Sequence, residues 1–424
     1  MVTNMKDIFL QVGSTRDGTN PYCAIAKKYG YFSVLIEKEE LINYQSKNYS
    51  IEFNEVITIL TPEKPEAIIE AYRARGYNDN PKVILAGFEA YNSSAFILKN
   101  LLNSVGDNPF VPLDKYEQRK IISGKINQPW FYSFSSLKEL REKNIAHDYP
   151  FIIKPIDGGG GLGVHLVKNH HERNCVIDEL DNTKNYGGRD FSGFLVEEYI
   201  DGTEFSIQGV VEKGTVKVLT CCQKVITKEI TGSVCGFHES GHVAFTEGNY
   251  FDLFDSFAQR CCDVFSYNNG AFHIDLIIKD DELYFIEMGF RISGMGVTSL
   301  VKIITGNDWA EEAFLLAASD KRNESTISKK VSFVSGRLRL QTEAQVAYAY
   351  QWSKKNSRGD LVMSNFIKDE ESKMDKVLKS DLRRHANTLA TFTLDGEKKD
   401  DIIQVFKKIL HLDSDLSLSG LNHV

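Results

Sequence analysis

The sequence lacks any surplus of positive charge. Its 424 residues include 58 Asp and Glu against 50 Lys and Arg, which gives a formal net charge of −8. Proteins that bind nucleic acid usually do so through a strongly basic surface, so we do not expect a nucleic-acid partner. An anionic ligand would have to be held by a few specific residues.

The sequence also lacks the cysteine spacing of a zinc or redox site. It has seven cysteines, an odd number, and no C-x-x-C motif. This pattern is typical of reduced, buried thiols in a cytosolic protein. No uncharged apolar run approaches the ~18 residues that span a bilayer, and the N-terminal segment has no long apolar stretch of a secretory signal. We therefore expect a cytoplasmic protein with no membrane partner.

Length and composition favour several folded units. A prior of about 150 residues per domain suggests about three, and 42% hydrophobic with 25% charged residues is ordinary for globular domains. The first hundred residues alternate strand-like and helix-like runs, which predicts a parallel α/β sheet. From Phe151 onward strand-like runs are joined by glycine or charged turns, which predicts antiparallel hairpins in an α+β region.

The segment FIIKPIDGGGGLGVHLVKN, beginning at Phe151, carries a dense glycine loop. Its glycines match G-x-G-x-x-G, but a dinucleotide-binding loop must open a helix, and here VHLV alternates like a strand. The Lys and Ser or Thr of a Walker loop are also absent. We interpret the segment as two strands joined by a loop that folds over a polyphosphate, with Lys154 beside the same phosphates. A surface hairpin with an ordinary lysine is the alternative.

A second hairpin is predicted in AFHIDLIIKDDELYFIEMGF, where KDDE is the turn. Counting outward from Asp281 places Asp275 opposite Glu287 and His273 opposite Gly289. Carboxylates on one face of an apolar hairpin repel unless a cation lies between them, and Mg²⁺ with phosphate would suit all-oxygen ligands. The alternative is that both acids lie on a solvated face.

Three further features each have two interpretations. Arg291 follows the hairpin and either reaches the same anionic centre or pairs with Glu287. The segment KEITGSVCGFHESGHVAF reads as a long loop in which His238, Glu239 and His242 either touch substrate or are ordinary surface residues.

In RISGMGVTSLVKIITG, small residues precede a helix predicted to begin near Val297. The free N–H groups of such a helix start form an anion site, so a substrate carboxylate could lie near Ser293, Gly294 and Gly296. A tight strand-to-helix turn is the alternative.

Taken together, Lys154, the glycine hairpin, the EEYIDGTEFS segment and the set Asp275, Glu287 and Arg291 resemble the ATP-grasp superfamily. The resemblance covers roughly residues 1–300. It implies an ATP-grasp fold of α/β and α+β units with a Rossmann-like pre-ATP-grasp domain. The implied divisions are a pre-ATP-grasp domain (1–110), a small lobe (111–195), a large lobe (196–330) and a C-terminal extension that completes the large lobe (331–424).

The resemblance also assigns roles to residues of this sequence. Arg291 steadies the transferred phosphate, Asp275 and Glu287 are metal ligands, and Glu204 accepts hydrogen bonds from the ribose. The remaining nucleotide contacts that it implies are Lys115, Lys154, Gly159, Gly160, Gly161, Gly163, Glu197, Glu198 and Ile200. The implied cofactors are ATP and Mg²⁺, with Mn²⁺ as a substitute.

The sequence departs from the family signature at Gly289, where an Asn normally supplies a further metal ligand. The implied activity is an ATP-dependent carboxylate–amine ligase that joins small molecules, expected to be amino acids, through an acyl phosphate and releases ADP and phosphate. Two alternatives remain open: a carboxylase or purine-type ligase that uses bicarbonate or formate, and an ATP-binding module without turnover. A homodimer is common in the family, although no residue of this sequence indicates an interface.

Overall fold

The computed structural model describes the chain over residues 7–15, 19–48, 50–77, 80–102, 114–185, 189–248, 250–294, 296–319, 333–363, 388–411 and 416–418. These ranges contain two sheets, a four-stranded sheet near the N-terminus and a 13-stranded sheet formed by the later strands. Within them, no helix has the length and apolar character needed to cross a membrane.

The N-terminal sheet is parallel, as the βαβ pattern predicts. Its first strand, IFLQV, is buried at every position, which is typical of a parallel strand covered on both faces. The strand order is β3-β2-β1-β4, with strands β1 (Ile8–Val12), β2 (Phe32–Glu37), β3 (Glu55–Thr58) and β4 (Val83–Ala86). The helices of this unit are α1 (Pro21–Lys28), α2 (Glu39–Asn48), α3 (Pro65–Ala74) and α4 (Asn92–Leu101), with a short 3₁₀ turn at Glu89–Tyr91.

The second sheet is built from antiparallel pairs. Its main path runs β13-β12-β9-β10-β11-β7-β6-β8-β5. These strands are β5 (Phe131–Phe134), β6 (Phe151–Pro155), β7 (His165–Val167), β8 (Phe194–Glu198), β9 (Thr203–Glu212), β10 (Thr215–Thr231), β11 (Val234–Phe245), β12 (Gly270–Lys279) and β13 (Glu282–Gly289).

The later segments extend this sheet. Strand β14 (Val334–Leu340) pairs with β11 and with β16 (Ala390–Gly396), β15 (Asp360–Met363) pairs with β16, and β17 (Leu416–Leu418) pairs with β10. The C-terminal segment thus adds strands to the sheet that carries the candidate site. The predicted domain boundaries at 110, 195 and 330 remain predictions.

Helices cover both sheets. The second unit contains α5 (Lys115–Ile122), α6 (Leu137–Glu142), α7 (His170–Asp181), α8 (Phe251–Val264), α9 (Val297–Thr305), α10 (Trp309–Ala318), α11 (Glu343–Asn356) and α12 (Lys399–Leu410). Helix α10 joins the two sheets, because its Phe314 packs edge-on against Phe9 of β1 while its Trp309 donates a hydrogen bond to the carbonyl of Gly209 on β9.

The edge strand β13 is held in place by α5. Asp114 caps α5 by accepting a hydrogen bond from the amide of Glu117, so the helix begins at Lys115. One turn on, Gln118 donates to the carbonyl of Met288 (2.8 Å) and accepts from its amide (2.9 Å). An edge strand otherwise leaves its backbone groups unpaired. These contacts fix the strand that carries Glu287.

One prediction about local structure is wrong. The segment 228–245, predicted to be a long loop, forms most of an antiparallel hairpin between β10 and β11. Cross-strand pairing in a wide sheet outweighs the turn-like composition of its Gly, Ser and His residues. A register shift between Val225 and Ile226 leaves Ser240 as an extra residue in β11. This bulge affects the candidate site.

Candidate active site

A cavity of about 330 Å³ opens where the parallel sheet, the glycine hairpin and the antiparallel sheet meet. Its wall includes all but two of the candidate site residues predicted from the sequence. Gly163 and His238 are the two exceptions. The predicted residues in the wall are Lys115, Lys154, Gly159, Gly160, Gly161, Glu197, Glu198, Ile200, Glu204, Glu239, His242, Asp275, Glu287, Arg291, Ser293, Gly294 and Gly296.

The glycine loop joins β6 to β7, two antiparallel strands, as predicted. Gly160 and Gly161 have φ of 62° and 77°, in the left-handed region that glycine adopts without strain. A Cβ on Gly161 would lie 3.2 Å from the carbonyl oxygen of Phe237, so the loop lies close to β11. Gly163 also has positive φ, but it packs on Pro155 and Leu180 outside the cavity wall, which gives it a structural role in the turn.

The predicted carboxylate pair is present. Asp275 on β12 lies opposite Glu287 on β13, and both line the cavity. The count along the sequence centres the turn on Asp281. In the structure the turn has two residues, Asp280 and Asp281, both with positive φ, which by itself would place Asp275 one residue out of register with Glu287. A bulge between Asp275 and Leu276 then shifts the pairing by one residue.

Each acidic group at the centre of the site has a lysine partner. Lys115 Nζ lies 3.1 Å from Glu287 Oε2 and donates to the carbonyl of Gly158 at 2.5 Å. Lys154 Nζ lies 2.6 Å from Glu197 Oε2. The two lysines predicted to contact phosphate are therefore paired with carboxylates in this structure.

Lys224 forms a third pairing that the sequence analysis missed. Its Nζ lies 2.5 Å from Asp275 Oδ2, 3.3 Å from Glu239 Oε2 and 3.8 Å from Glu204 Oε2. Burial opposes its charged form, but the three carboxylates raise the pKa of Lys224 well above its usual value. The ammonium of Lys224 is thus shared by Glu204, Asp275 and Glu239, for which the sequence predicted contacts with ribose, metal and substrate respectively.

The other lysine and glutamate pKa values show how closely these charges are coupled. Burial lowers the pKa of Lys154 to about 8, with Arg119 adding to the effect and Glu197 opposing it. Burial acts to raise the pKa of Glu287, but Lys115, Lys154 and His273 outweigh it, so the pKa of Glu287 is lowered. Burial raises the pKa of Glu204, with Lys224 opposing it.

Arg119 is a second residue that the sequence analysis missed. Its side chain on α5 is fully buried and binds Glu197 with two hydrogen bonds, from Nε at 2.8 Å and from Nη2 at 3.2 Å. The side chain of Glu197 is consequently engaged by Arg119 and Lys154 and is only 3% exposed. It orients Lys154 within the cavity wall, whereas the half-buried Glu198 is the accessible acid of this strand.

The bulge at Ser240 explains why the side chains of Glu239 and His242 lie side by side. Side chains alternate along a strand, and one extra residue brings positions i and i+3 to the same face. His242 Nε2 lies 3.3 Å from Glu239 Oε1, and both side chains line the cavity.

The anion site predicted before α9 has the expected backbone. Gly296 is the N-cap of α9, with φ of 74°, and Val297 is its first residue. A Cβ on Gly296 would lie 2.5 Å from Nη1 of Arg337, on β14, so a guanidinium lies against this helix start. Arg337 is a third residue missed by the sequence analysis, since it lies in the segment that carried no recognisable motif.

The described residues fit a metal ion only in part. No group of three or more His, Cys, Asp or Glu side chains among them is arranged to hold one. Asp275 and Glu287 nevertheless supply two oxygen donors on one face of the hairpin. This donor set suits a hard cation that takes its remaining ligands from phosphate and water. Gly289 contributes no side-chain ligand.

Comparisons with known proteins found a family model and similar sequences. A family model described as an ATP-grasp domain matches residues 113–295. Dapdiamide A synthase of Enterobacter agglomerans is 22% identical over 311 residues, 69% of this chain and 69% of that protein.

Two solved structures share the fold. The L-amino acid ligase from Bacillus licheniformis aligns over 98% of this chain and 100% of its own, with a TM-score of 0.68 and 17% identity. N5-carboxyaminoimidazole ribonucleotide synthetase, in an ADP complex, aligns over 97% and 98%, with a TM-score of 0.65 and 12% identity.

The resemblance to the ATP-grasp superfamily is confirmed over residues 113–295. The relatives of the chain are ATP-grasp ligases that form carbon–nitrogen bonds, and the predicted fold and enzyme class are confirmed. Enzymes of this superfamily generally use ATP with Mg²⁺. The roles of individual residues, the metal identity and the oligomeric state remain predictions.

Proposed function

We propose that this protein activates the carboxylate of an amino acid with ATP and joins it to the amine of a second small molecule. The proposal is carried chiefly by one arrangement: the Asp275 and Glu287 pair, four basic side chains and the glycine hairpin all face one cavity. The basic side chains are Lys115, Lys154, Lys224 and Arg291.

The nucleotide would lie between the glycine hairpin and β8. Gly159, Gly160 and Gly161 can approach the phosphates closely because they carry no Cβ. Glu198 and Ile200 would meet the adenine, and Glu204 would accept hydrogen bonds from the ribose, since all three line the same cavity.

Binding would exchange the partners of the lysines. Asp275 and Glu287 would hold Mg²⁺, which would neutralise charge on the terminal phosphates. Lys224 and Lys115, released from these acids, could then turn to the phosphates. Such an exchange keeps each buried charge paired before and after binding, which avoids the cost of an isolated buried ion.

The two chemical steps balance without a protein nucleophile. A substrate carboxylate oxygen attacks the γ-phosphorus, the β–γ bond breaks, and ADP leaves. The amine then attacks the acyl carbon, and phosphate leaves with the carboxylate oxygen. Arg291 would steady the transferred phosphate, and the helix start at Ser293, Gly294 and Gly296 would bind a substrate carboxylate.

The amine must lose a proton, and the pair Glu239 and His242 is the proposed acceptor. Both line the cavity, and their mutual contact at 3.3 Å allows Glu239 to stabilise a protonated imidazole. Neither Gly163 nor His238 has a substrate role in this proposal, because neither lies in the cavity wall.

The test is phosphate release from ATP and Mg²⁺ with amino acids alone and in pairs, followed by mass spectrometry of the products. Release that needs a carboxylate and an amine together, with an amide product, would support the proposal. The Glu287→Gln variant should be inactive, whereas the matched Glu282→Gln, on the exposed end of the same strand, should keep activity.

A carboxylase or purine-type ligase is the second candidate, favoured by the likeness in fold to N5-carboxyaminoimidazole ribonucleotide synthetase. Phosphate release that depends on bicarbonate and needs no amino acid would replace the first proposal with this one. ATP binding without release across the whole panel would instead favour a module without turnover.

A further inference from the structure

Gly289 and His273, which lines the cavity, form a complementary pair. They lie opposite each other on β13 and β12. A Cβ built on Gly289 would be 2.1 Å from Cε1, 2.6 Å from Nε2 and 2.8 Å from Nδ1 of the imidazole. The ring therefore occupies the volume that any side chain at position 289 would need.

The same imidazole holds the backbone of the next functional residue. His273 Nδ1 lies 3.2 Å from the carbonyl oxygen of Arg291. A carbonyl can only accept, so Nδ1 carries the proton and donates. Arg291 follows the end of β13, in a segment without regular structure, and its Nη1 donates to the carbonyl of Ile292 at 2.6 Å.

The backbone of His273 is fixed by strand pairing on both sides. His273 lies on an inner strand that pairs with Gln208 of β9 on one side and with Gly289 of β13 on the other. It is buried and lines the cavity with Arg291. A side chain fixed in this way can transmit the position of the sheet to an irregular segment beside it.

We propose that His273 is a positioning residue for Arg291 and that Gly289 is required to make room for it. The imidazole takes the place of a side chain at 289 and, through Nδ1, fixes the backbone from which the Arg291 guanidinium reaches the transferred phosphate. This inference rests on the proposed function, because it assumes that Arg291 acts on that phosphate. It makes the glycine a requirement of the site and not a defect.

Two variants separate the hydrogen bond from the filled volume. His273→Asn keeps a donor near the position of Nδ1 but has less volume, whereas His273→Phe fills the volume but cannot donate. A misplacement of about 1 Å costs up to 10²-fold in rate, so we expect kcat to fall about tenfold or more in His273→Phe. KM for ATP should stay unchanged, and His273→Asn should recover much of kcat. Equal kcat in the two variants, or a loss confined to KM, would overturn the positioning role.

A second readout needs no turnover. Affinity for ADP with Mg²⁺ and tetrafluoroaluminate, which imitates the transferred phosphate, should fall in His273→Phe, while affinity for ADP with Mg²⁺ should not. Loss of both affinities together, or of neither, would contradict the inference. Because wild type and variant are compared by binding, this result stands even if no substrate pair gives turnover, which would count against the proposed function alone.

The steric part is tested by unfolding. Gly289→Ala should lower the melting temperature, because the added Cβ overlaps the ring, and His273→Ala in the same chain should restore part of the loss. If Gly289→Ala alone is as stable as wild type, the two residues are not a complementary pair. The same conclusion follows if the stability losses of Gly289→Ala and His273→Ala simply add in the double variant.

Discussion

Replacing Lys224 with Met is expected to strengthen metal binding and weaken nucleotide binding. Lys224 Nζ lies 2.5 Å from Asp275 and also serves Glu239 and Glu204. A cation that binds Asp275 in the nucleotide-free protein must compete with this ammonium. Methionine has a similar length without the charge, so the variant leaves three half-buried acids without their shared partner.

The size of the effect follows from the geometry. At an effective dielectric constant of about 20, unit charges 2.5 Å apart attract by about 7 kcal/mol. Removing one partner of a buried pair costs about 3 to 5 kcal/mol after solvation is included. If a divalent cation relieved only about 1.4 kcal/mol of that cost, its affinity would rise tenfold. We therefore expect the Lys224→Met variant to bind Mn²⁺ at least about tenfold more tightly than wild type.

The assay is titration of nucleotide-free protein with Mn²⁺, with free ion counted by electron paramagnetic resonance. Affinity for ADP, measured by calorimetry, should fall in the same variant. Lys217→Met, on the same strand but outside the cavity wall, is the matched control and should match wild type in both. A folded Lys224→Met protein with unchanged or weaker Mn²⁺ binding would refute the exchange of partners.

Three further predictions concern the buried charges. Glu287→Gln should abolish Mg²⁺-dependent phosphate release while the circular dichroism spectrum stays that of wild type; wild-type turnover would remove Glu287 from the metal site. Arg119→Met should lower the free energy of unfolding by about 3 kcal/mol in urea titration, because Glu197 loses two hydrogen bonds in a fully buried position; a change below about 1 kcal/mol would show that this pair adds little to stability. Because burial lowers the pKa of Lys154 to about 8, affinity for ADP should fall as the pH rises above 8, and Lys154→Arg should flatten that fall. If ADP affinity falls with the same pH slope in wild type and in Lys154→Arg, Lys154 is not the source of that fall. The unfolded chain keeps the Lys154 proton up to about pH 10.5, so Lys154 alone makes the stability of the fold rise between pH 8 and 10.5, opposite to its effect on ADP binding.

Local patterns in the sequence were enough to predict much of the site. Strand periodicity and turn residues place Asp275 opposite Glu287, and glycine density before a strand predicts the loop between β6 and β7 that lines the cavity. The simple count from Asp281 reached the right pairing because the two-residue turn and the bulge after Asp275 compensate each other. A bulge leaves no clear trace in composition, so this compensation could not be foreseen.

Contacts between distant segments could not be predicted. Arg119 meets Glu197 across 78 positions, and Lys224 meets Asp275 across 51, and nothing local marks either basic residue. The segment around Glu239 has the Gly, Ser and His content of a loop, and its strand structure depends on cross-strand pairing that local composition does not reveal. The pairing of the Glu197 side chain with Arg119 and Lys154 could likewise not be predicted, because only the fold brings these residues together.

The acyl phosphate is tested most directly by following oxygen. An amino acid labelled with ¹⁸O in its carboxylate is incubated with ATP, Mg²⁺ and an amine acceptor, and the released phosphate is analysed by mass spectrometry. If the carboxylate attacks the γ-phosphorus and the amine then displaces phosphate, each phosphate carries one ¹⁸O from the acid. Amide formation with unlabelled phosphate would contradict the account.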